Sequence, residues 1–130
     1  QLIAEKILPA QKEGKLIICD RYIYSSIAYQ GYARNLGADF VKKVNSFAVE
    51  HCMPDYTVFI DLSPEQSWRT VKNDDRMEQE TIEFHKKVYE GYLSEIKTSP
   101  ERFIVIKPDF DKFVTKQRIL SALKEKGIIR

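Results

Sequence analysis

Two hydrophobic patterns alternate along this chain of 130 residues. The first is a short continuous apolar run, seen in residues 15–19, again in 56–61 after the turn Met53-Pro54-Asp55, and a third time in 102–106 after Ser99-Pro100. Such runs, without polar alternation, predict parallel strands covered on both faces. The second pattern is helical. Leu2, Ile3, Ile7 and Leu8 share a face ahead of the breaker Glu13-Gly14, which predicts an opening helix that ends near Lys12. Phe40, Val41, Val44, Phe47, Ala48 and His51 line one face of a helix starting near Ala38. Ser63-Pro64-Glu65-Gln66 reads as a helix start, with Ser63 as N-cap and Gln66 closing a capping box; Pro64, Ser67, Trp68 and Val71 then share a face. Ile82, His85, Tyr89, Tyr92, Leu93 and Ile96 predict a long helix over about 80–97, and Ile119, Leu120 and Leu123 a last one ending at Gly127. Strands alternating with helices, with no hairpin signal, give an α/β fold: a parallel sheet flanked by helices on both faces. The stretch 73–78 is polar and aperiodic and is expected to be a loop.

The length sets one domain, or part of one. With 43% apolar and 31% charged residues, and no apolar run near the roughly 18 that a span requires, composition gives a globular chain with no membrane segment. The 21 basic and 19 acidic residues are dispersed, so no basic tail argues for nucleic-acid binding, and an anionic ligand has to be held locally. Cys19 and Cys52 match no metal or redox spacing and are expected to be buried thiols in a reducing compartment. Residues 1–10 mix charge with apolar positions and lack the signal-peptide pattern, which makes the cytoplasm the default location. The chain opens on Gln1, in the middle of what reads as a helix, so sequence upstream of it is expected.

In open α/β sheets ligands bind beyond the carboxyl ends of the strands, and Asp20-Arg21 follows the first predicted strand. Arg21 offers a planar fork for phosphate oxygens, while Asp20 can orient it or hold water on a metal ion. From position alone a structural ion pair at the strand end is an equal alternative. The residues that follow narrow the choice. Asp20-Arg21-Tyr22-Ile23-Tyr24-Ser25-Ser26-Ile27-Ala28-Tyr29-Gln30-Gly31 resembles the D-R-Y-x-x-S-S-x-A-Y-Q-G signature of bacterial thymidylate kinases. The resemblance continues through 32–37, the Pro54-Asp55 turn, the run ending in Asp61, Asp75-Arg76-Met77-Glu78 and Tyr89-Glu90-Gly91-Tyr92, and is looser after Ile106.

The resemblance implies a P-loop nucleoside monophosphate kinase fold and transfer of the ATP γ-phosphoryl group to dTMP with Mg2+. It places Arg21 among the phosphates, Ser26 and Gln30 near the thymine base, and Tyr29 near the deoxyribose, where it disfavours a 2′-hydroxyl. An amide and a hydroxyl do supply the donor and acceptor that a thymine imide edge requires, and an aromatic face suits a sugar. If 23–31 is helical, Ser26, Tyr29 and Gln30 share a face. Without the motif, Tyr29 would read as a core aromatic and both serines as helix caps. Residues 15–37 thus form the expected acceptor site. Arg69, Lys72 and Arg76, at i, i+3 and i+7, are the expected lid cations over about 69–80, with Arg76 foremost, able to stabilise a transferring phosphoryl group; a solvated basic helix end is the plain alternative. Arg21, Arg76 and Asp20 are the catalytic candidates. His51, His85 and Trp68 are read as structural.

A donor loop of the form G-x-x-x-x-G-K-S/T is absent: the glycines stand at 14, 31, 37, 91 and 127, and Gly14-Lys15 lacks both the earlier glycine and the following hydroxyl. The chain is therefore expected to be the C-terminal two thirds of the enzyme, a partial domain over 1–130 that is inactive in isolation. The family further implies a homodimer, for which the helix over 40–51 is the expected contact. Two alternatives stay open: another nucleoside monophosphate or deoxynucleoside kinase, and a non-catalytic nucleotide-binding fragment.

Overall fold

A computed structural model describes residues 1–68 and 80–130, Trp68 by its backbone alone. A π-helical stretch (Ile3–Ile7) runs into helix α1 (Leu8–Lys12); α2 (Ile23–Ser26) runs into a second π-helical stretch (Ile27–Ala33); α3 (Ala38–Val49) follows. Strand β1 (Thr57–Ile60), α4 (Pro64–Trp68), α5 (Ile82–Thr98), β2 (Phe103–Ile106) and α6 (Lys112–Glu125) complete the order. The local signals set these ends. Ser63 and Gln66 close the expected capping box, with Ser63 N–H to Gln66 Oε1 at 3.3 Å and Gln66 N–H to Ser63 Oγ at 3.4 Å. Thr81 and Asp111 cap α5 and α6 by accepting from Phe84 N–H and Phe113 N–H. Gly14 and Gly127, at φ +69° and +70°, end α1 and α6 in Schellman turns, in which Lys15 N–H reaches Ala10 O and Ile128 N–H reaches Leu123 O.

Among the described residues the sheet has two parallel strands, paired from Thr57↔Phe103 to Ile60↔Ile106. Phe103 and Ile104 point to opposite faces, and each is only 6% exposed, so β2 is covered on both sides as its apolar run predicts. Phe103 packs against Tyr24 of α2, with centroids 4.6 Å apart, and Phe59 against Tyr92 of α5 at 5.2 Å. The core, built on Ile23, Tyr24, Ile27, Val41, Val49 and Phe103, therefore lies where α2, α3 and β2 meet.

The first predicted strand does not form. Residues 15–20 have no ladder partner among the described residues, and Leu16, Ile17 and Ile18 are exposed, Ile18 at 86%. An apolar run supplies side chains for burial, but a strand exists only through a neighbour's amides and carbonyls. Two expectations fall with it: Cys19 is exposed and only Cys52 is buried, and Asp20-Arg21 leads into α2 rather than out of a strand. His51 is likewise exposed, just beyond α3, whereas His85 is half-buried edge-on to Phe84. The reading of Trp68 as core concerns a side chain outside the described residues, as does Val71.

Helix α5 seats closely on the second π-helical stretch. A Cβ added to Gly91 would lie 2.9 Å from the Tyr32 ring, so only glycine admits that ring. From there the Tyr32 hydroxyl donates to Ser94 Oγ at 2.9 Å and to Glu95 Oε1 at 3.4 Å. Glu95 is 4% exposed, and Lys42 of α3 reaches its Oε1 at 2.8 Å. Burial pulls the Lys42 ammonium down, but the hydrogen bond and charge of Glu95 outweigh it and hold the group above the ordinary lysine value.

Gly91→Ala is expected to cost about 1–3 kcal/mol in urea unfolding, the usual range for overpacking. Because Lys42 titrates higher folded than unfolded, its contribution is complete below the unfolded lysine value and is lost as pH rises through the folded one. Unfolding midpoints of wild type and Lys42→Met should therefore stay apart up to the ordinary lysine value of 10.5 and draw together only above it.

Candidate acceptor site around Arg21

Arg21 stands immediately before α2 in the left-handed backbone region, at φ 62°. A non-glycine residue there is held at a cost of roughly 1–2 kcal/mol, and such outliers cluster at functional sites. Its guanidinium lies over the Tyr29 ring, 5.3 Å from the centroid. Tyr29 in turn packs beside Phe84 of α5 at 6.0 Å, and the other side of that cluster carries Arg34, which lies 5.2 Å over Phe84 and pairs with Glu80 at 2.9 Å.

Below Arg21 is a cleft of about 330 Å³ lined by Arg21, Tyr22, Ser25, Ser26 and Asn45 together with apolar Ile3, Ile23, Ala48 and Val49. One cation, two serine hydroxyls and an amide around largely apolar walls suit a ligand with a phosphate and a flat polar ring, the Tyr22 hydroxyl being engaged with Cys52 at 3.1 Å. The Asn45 amide nitrogen donates to Val41 O at 2.8 Å, which turns its oxygen the other way.

The structure brings some of the expected residues together and separates others. Arg21 and Ser26 share the cleft, and Tyr29 meets Arg21 at its edge. Gln30 is exposed and does not line it. The helix also changes type after Ser26: Arg34 N–H bonds back five residues to Tyr29 O, each step turns through less than the α-helical value of about 100°, and Tyr29, three residues on, swings away from the Ser26 face. Asp20 is exposed and makes no ion pair among the described residues, so the alternative of a structural Asp20–Arg21 pair is not realised. Arg69, Lys72 and Arg76 lie outside the described residues.

Sequence reasoning missed two tyrosine contacts. Tyr92 Oη lies 2.7 Å from Ser25 Oγ, and the Tyr89 hydroxyl donates to Asp61 Oδ1 at 2.7 Å, just past the carboxyl end of β1. The Tyr89-Glu90-Gly91-Tyr92 stretch carried the signal, but sequence does not say which partners its hydroxyls reach. Burial raises the Tyr92 phenol, while the Asp61 hydrogen bond, followed by burial, raises Tyr89. Both therefore stay protonated at neutral pH.

Among the described residues no three His, Cys, Asp or Glu side chains gather as a metal cage. Magnesium in phosphoryl-transfer sites needs only one or two carboxylates beside the phosphates, and the free-standing Asp20 fits that lesser requirement.

The parallel strands, the flanking helices and a cleft built on a strained arginine define a P-loop-kinase type of α/β fold. The thymidylate kinase family model matches residues 1–119. The chain is 48% identical over 127 residues to a thymidylate kinase of Caldanaerobacter subterraneus subsp. tengcongensis, covering 96% of this chain and 61% of that one. To the Bacillus velezensis thymidylate kinase it is 42% identical over 130 residues, with the same coverage of 96% and 61%. The crystal structure of the thymidylate kinase from Ehrlichia chaffeensis superposes with a TM-score of 0.70 at 27% identity, covering 93% of this chain and 55% of that one. The chain belongs to the thymidylate kinase family and spans about three fifths of the length of these curated relatives.

Because both variants remove the side chain and only glycine is free of the left-handed penalty, Arg21→Gly should be more stable than Arg21→Ala by about 1 kcal/mol in urea titrations. Equal stabilities would mean that the Arg21 backbone is unstrained.

Proposed function

We propose that this chain supplies the acceptor-nucleotide side of an enzyme that phosphorylates dTMP to dTDP with ATP and Mg2+. The observation that carries the reading is Arg21, stacked on Tyr29 at the mouth of the cleft that Ser26 lines. Its fork suits the acceptor phosphate; the Ser26 hydroxyl suits the polar edge of thymine; the Tyr29 ring suits the sugar. Gln30, whose amide also suits the thymine edge, is proposed as a further base contact, and Asp20 would hold water on a magnesium ion. Arg69, Lys72 and above all Arg76 supply lid cations to the moving phosphoryl group. The acceptor site over about 15–37 and the lid over about 69–80 belong to one domain. ATP requires a phosphate-cradling loop that these 130 residues do not encode.

The exposed face of α3, where Phe40, Val44 and Phe47 stand clear of the core, is the contact proposed for a homodimer. No helix among the described residues is long and apolar enough to cross a membrane, and cytoplasmic dTTP synthesis is the setting proposed.

Phosphoryl transfer by the full-length protein should favour dTMP over dUMP by about tenfold, the worth of one methyl group in a fitted pocket, with dCMP and dGMP lower still. Turnover of another nucleotide but not dTMP overturns the substrate. The missing donor loop favours a second reading for the 130 residues alone, that of a binding module: calorimetry would then show dTMP uptake without turnover.

A further inference from the structure

Helix α5 contributes no residue to the expected acceptor set, yet it turns its tyrosines toward it. Tyr92 is half-buried, and three contacts fix its place. Its hydroxyl is 2.7 Å from Ser25 Oγ, its ring lies 5.2 Å from Phe59 of β1, and, like Tyr29 and Phe84, it packs against the small cluster of Ala28, Ala33 and Val88. Ser25 lines the cleft directly beside Ser26, and Tyr29 carries the Arg21 guanidinium. One side chain on α5 thus bonds Ser25 of α2 through its hydroxyl and shares an apolar cluster with the aromatic seat of the arginine.

We propose that Tyr92 is the positioning residue of the acceptor site, fixing the Ser25–Ser26 turn through its hydroxyl and the Tyr29–Arg21 stack through its ring. The proposal rests on reading the cleft as the acceptor site. A hydroxyl that spans from a strand-backed helix to the first turn of α2 limits how that turn can rotate. The following serine is held in register with the cleft, and rigid support of this kind is what a binding constellation needs. Burial raises the phenol and outweighs the lowering by its hydrogen bond to Ser25. Because the phenol keeps its proton, the Ser25–Tyr92 bond persists through neutral and mildly alkaline pH.

The test is a cycle of Tyr92→Phe, Ser25→Ala and the double variant in the full-length protein. Tyr92→Phe keeps the ring and removes only the hydroxyl, so folding should be little changed. Each single variant should weaken dTMP binding by about fivefold, the worth of one net hydrogen bond, with ATP affinity unchanged, and the double variant should be no weaker than either single one. Multiplicative losses, or unchanged dTMP affinity with lowered stability, would overturn the proposal and leave Tyr92 a packing residue. A second readout needs no nucleotide. The NMR signal of the Arg21 Nε–H, shifted by the Tyr29 ring, should move in Tyr92→Leu and stay in Tyr92→Phe; an Arg21 signal unmoved by loss of the ring overturns the positioning role. Wild-type protein that fails to bind dTMP would instead sink the functional reading, and the NMR result would still decide the role of Tyr92.

Discussion

The close seat of Tyr32 on Gly91 is the constraint from which the rest of this structure follows. A glycine in the middle of a 17-residue helix is a local weakness, worth about 1 kcal/mol against alanine. Here the missing Cβ lets an aromatic ring lie close against α5, and the ring's hydroxyl then reaches Ser94 and Glu95 one turn further on. A carboxylate as buried as Glu95 would be costly alone, since burying an unpaired charge removes its hydration without return. Lys42 arrives from α3 on the same oxygen. Three helices are thus fixed by one ring and one carboxylate, and the apolar core needs only to fill the space they define.

That junction also sets the azimuth of α5. With Gly91 and Glu95 turned toward the π-helical stretch and α3, Tyr89 and Tyr92 are carried to Asp61 and Ser25. The structural clamp and the supports of the site are therefore successive residues of one helix. A shift in the clamp would be felt at the cleft without any substitution near it, which is how a one-ångström error far from the chemistry can matter.

Much of this was legible in sequence wherever one local rule decided the outcome. The Ser63–Gln66 box, the glycine ends of α1 and α6, and the parallel pairing of β1 and β2 follow from capping chemistry, positive φ and uninterrupted apolar runs. The run at 15–19 misled because strand identity is a property of pairs: the same residues without a partner leave Ile18 in water and Cys19 exposed. The site was legible in residue type and less so in geometry. Arg21, Ser26 and Tyr29 were singled out by their order and lie together at the cleft, but the common face of Ser26 and Tyr29 assumed a 3.6-residue turn throughout, and the helix changes type one residue after Ser26. Hydroxyl partners 67 residues apart, such as Ser25 and Tyr92, are set by tertiary packing and have no local signature.

The helix change and the strain at Arg21 belong together. An arginine at φ 62° aims its side chain back along the helix that follows rather than away from it, and the wider turn after Ile27 brings Tyr29 round to α5, under that guanidinium. A regular α-helix would have kept Tyr29 nearer the Ser26 face, and a relaxed Arg21 backbone would have pointed its fork elsewhere. Two locally unfavourable choices thus make one favourable contact. What holds both is the neighbouring helix, whose own position is set by the ring on Gly91. The local rules are broken next to the cleft because the packing behind it is firm enough to enforce the exceptions.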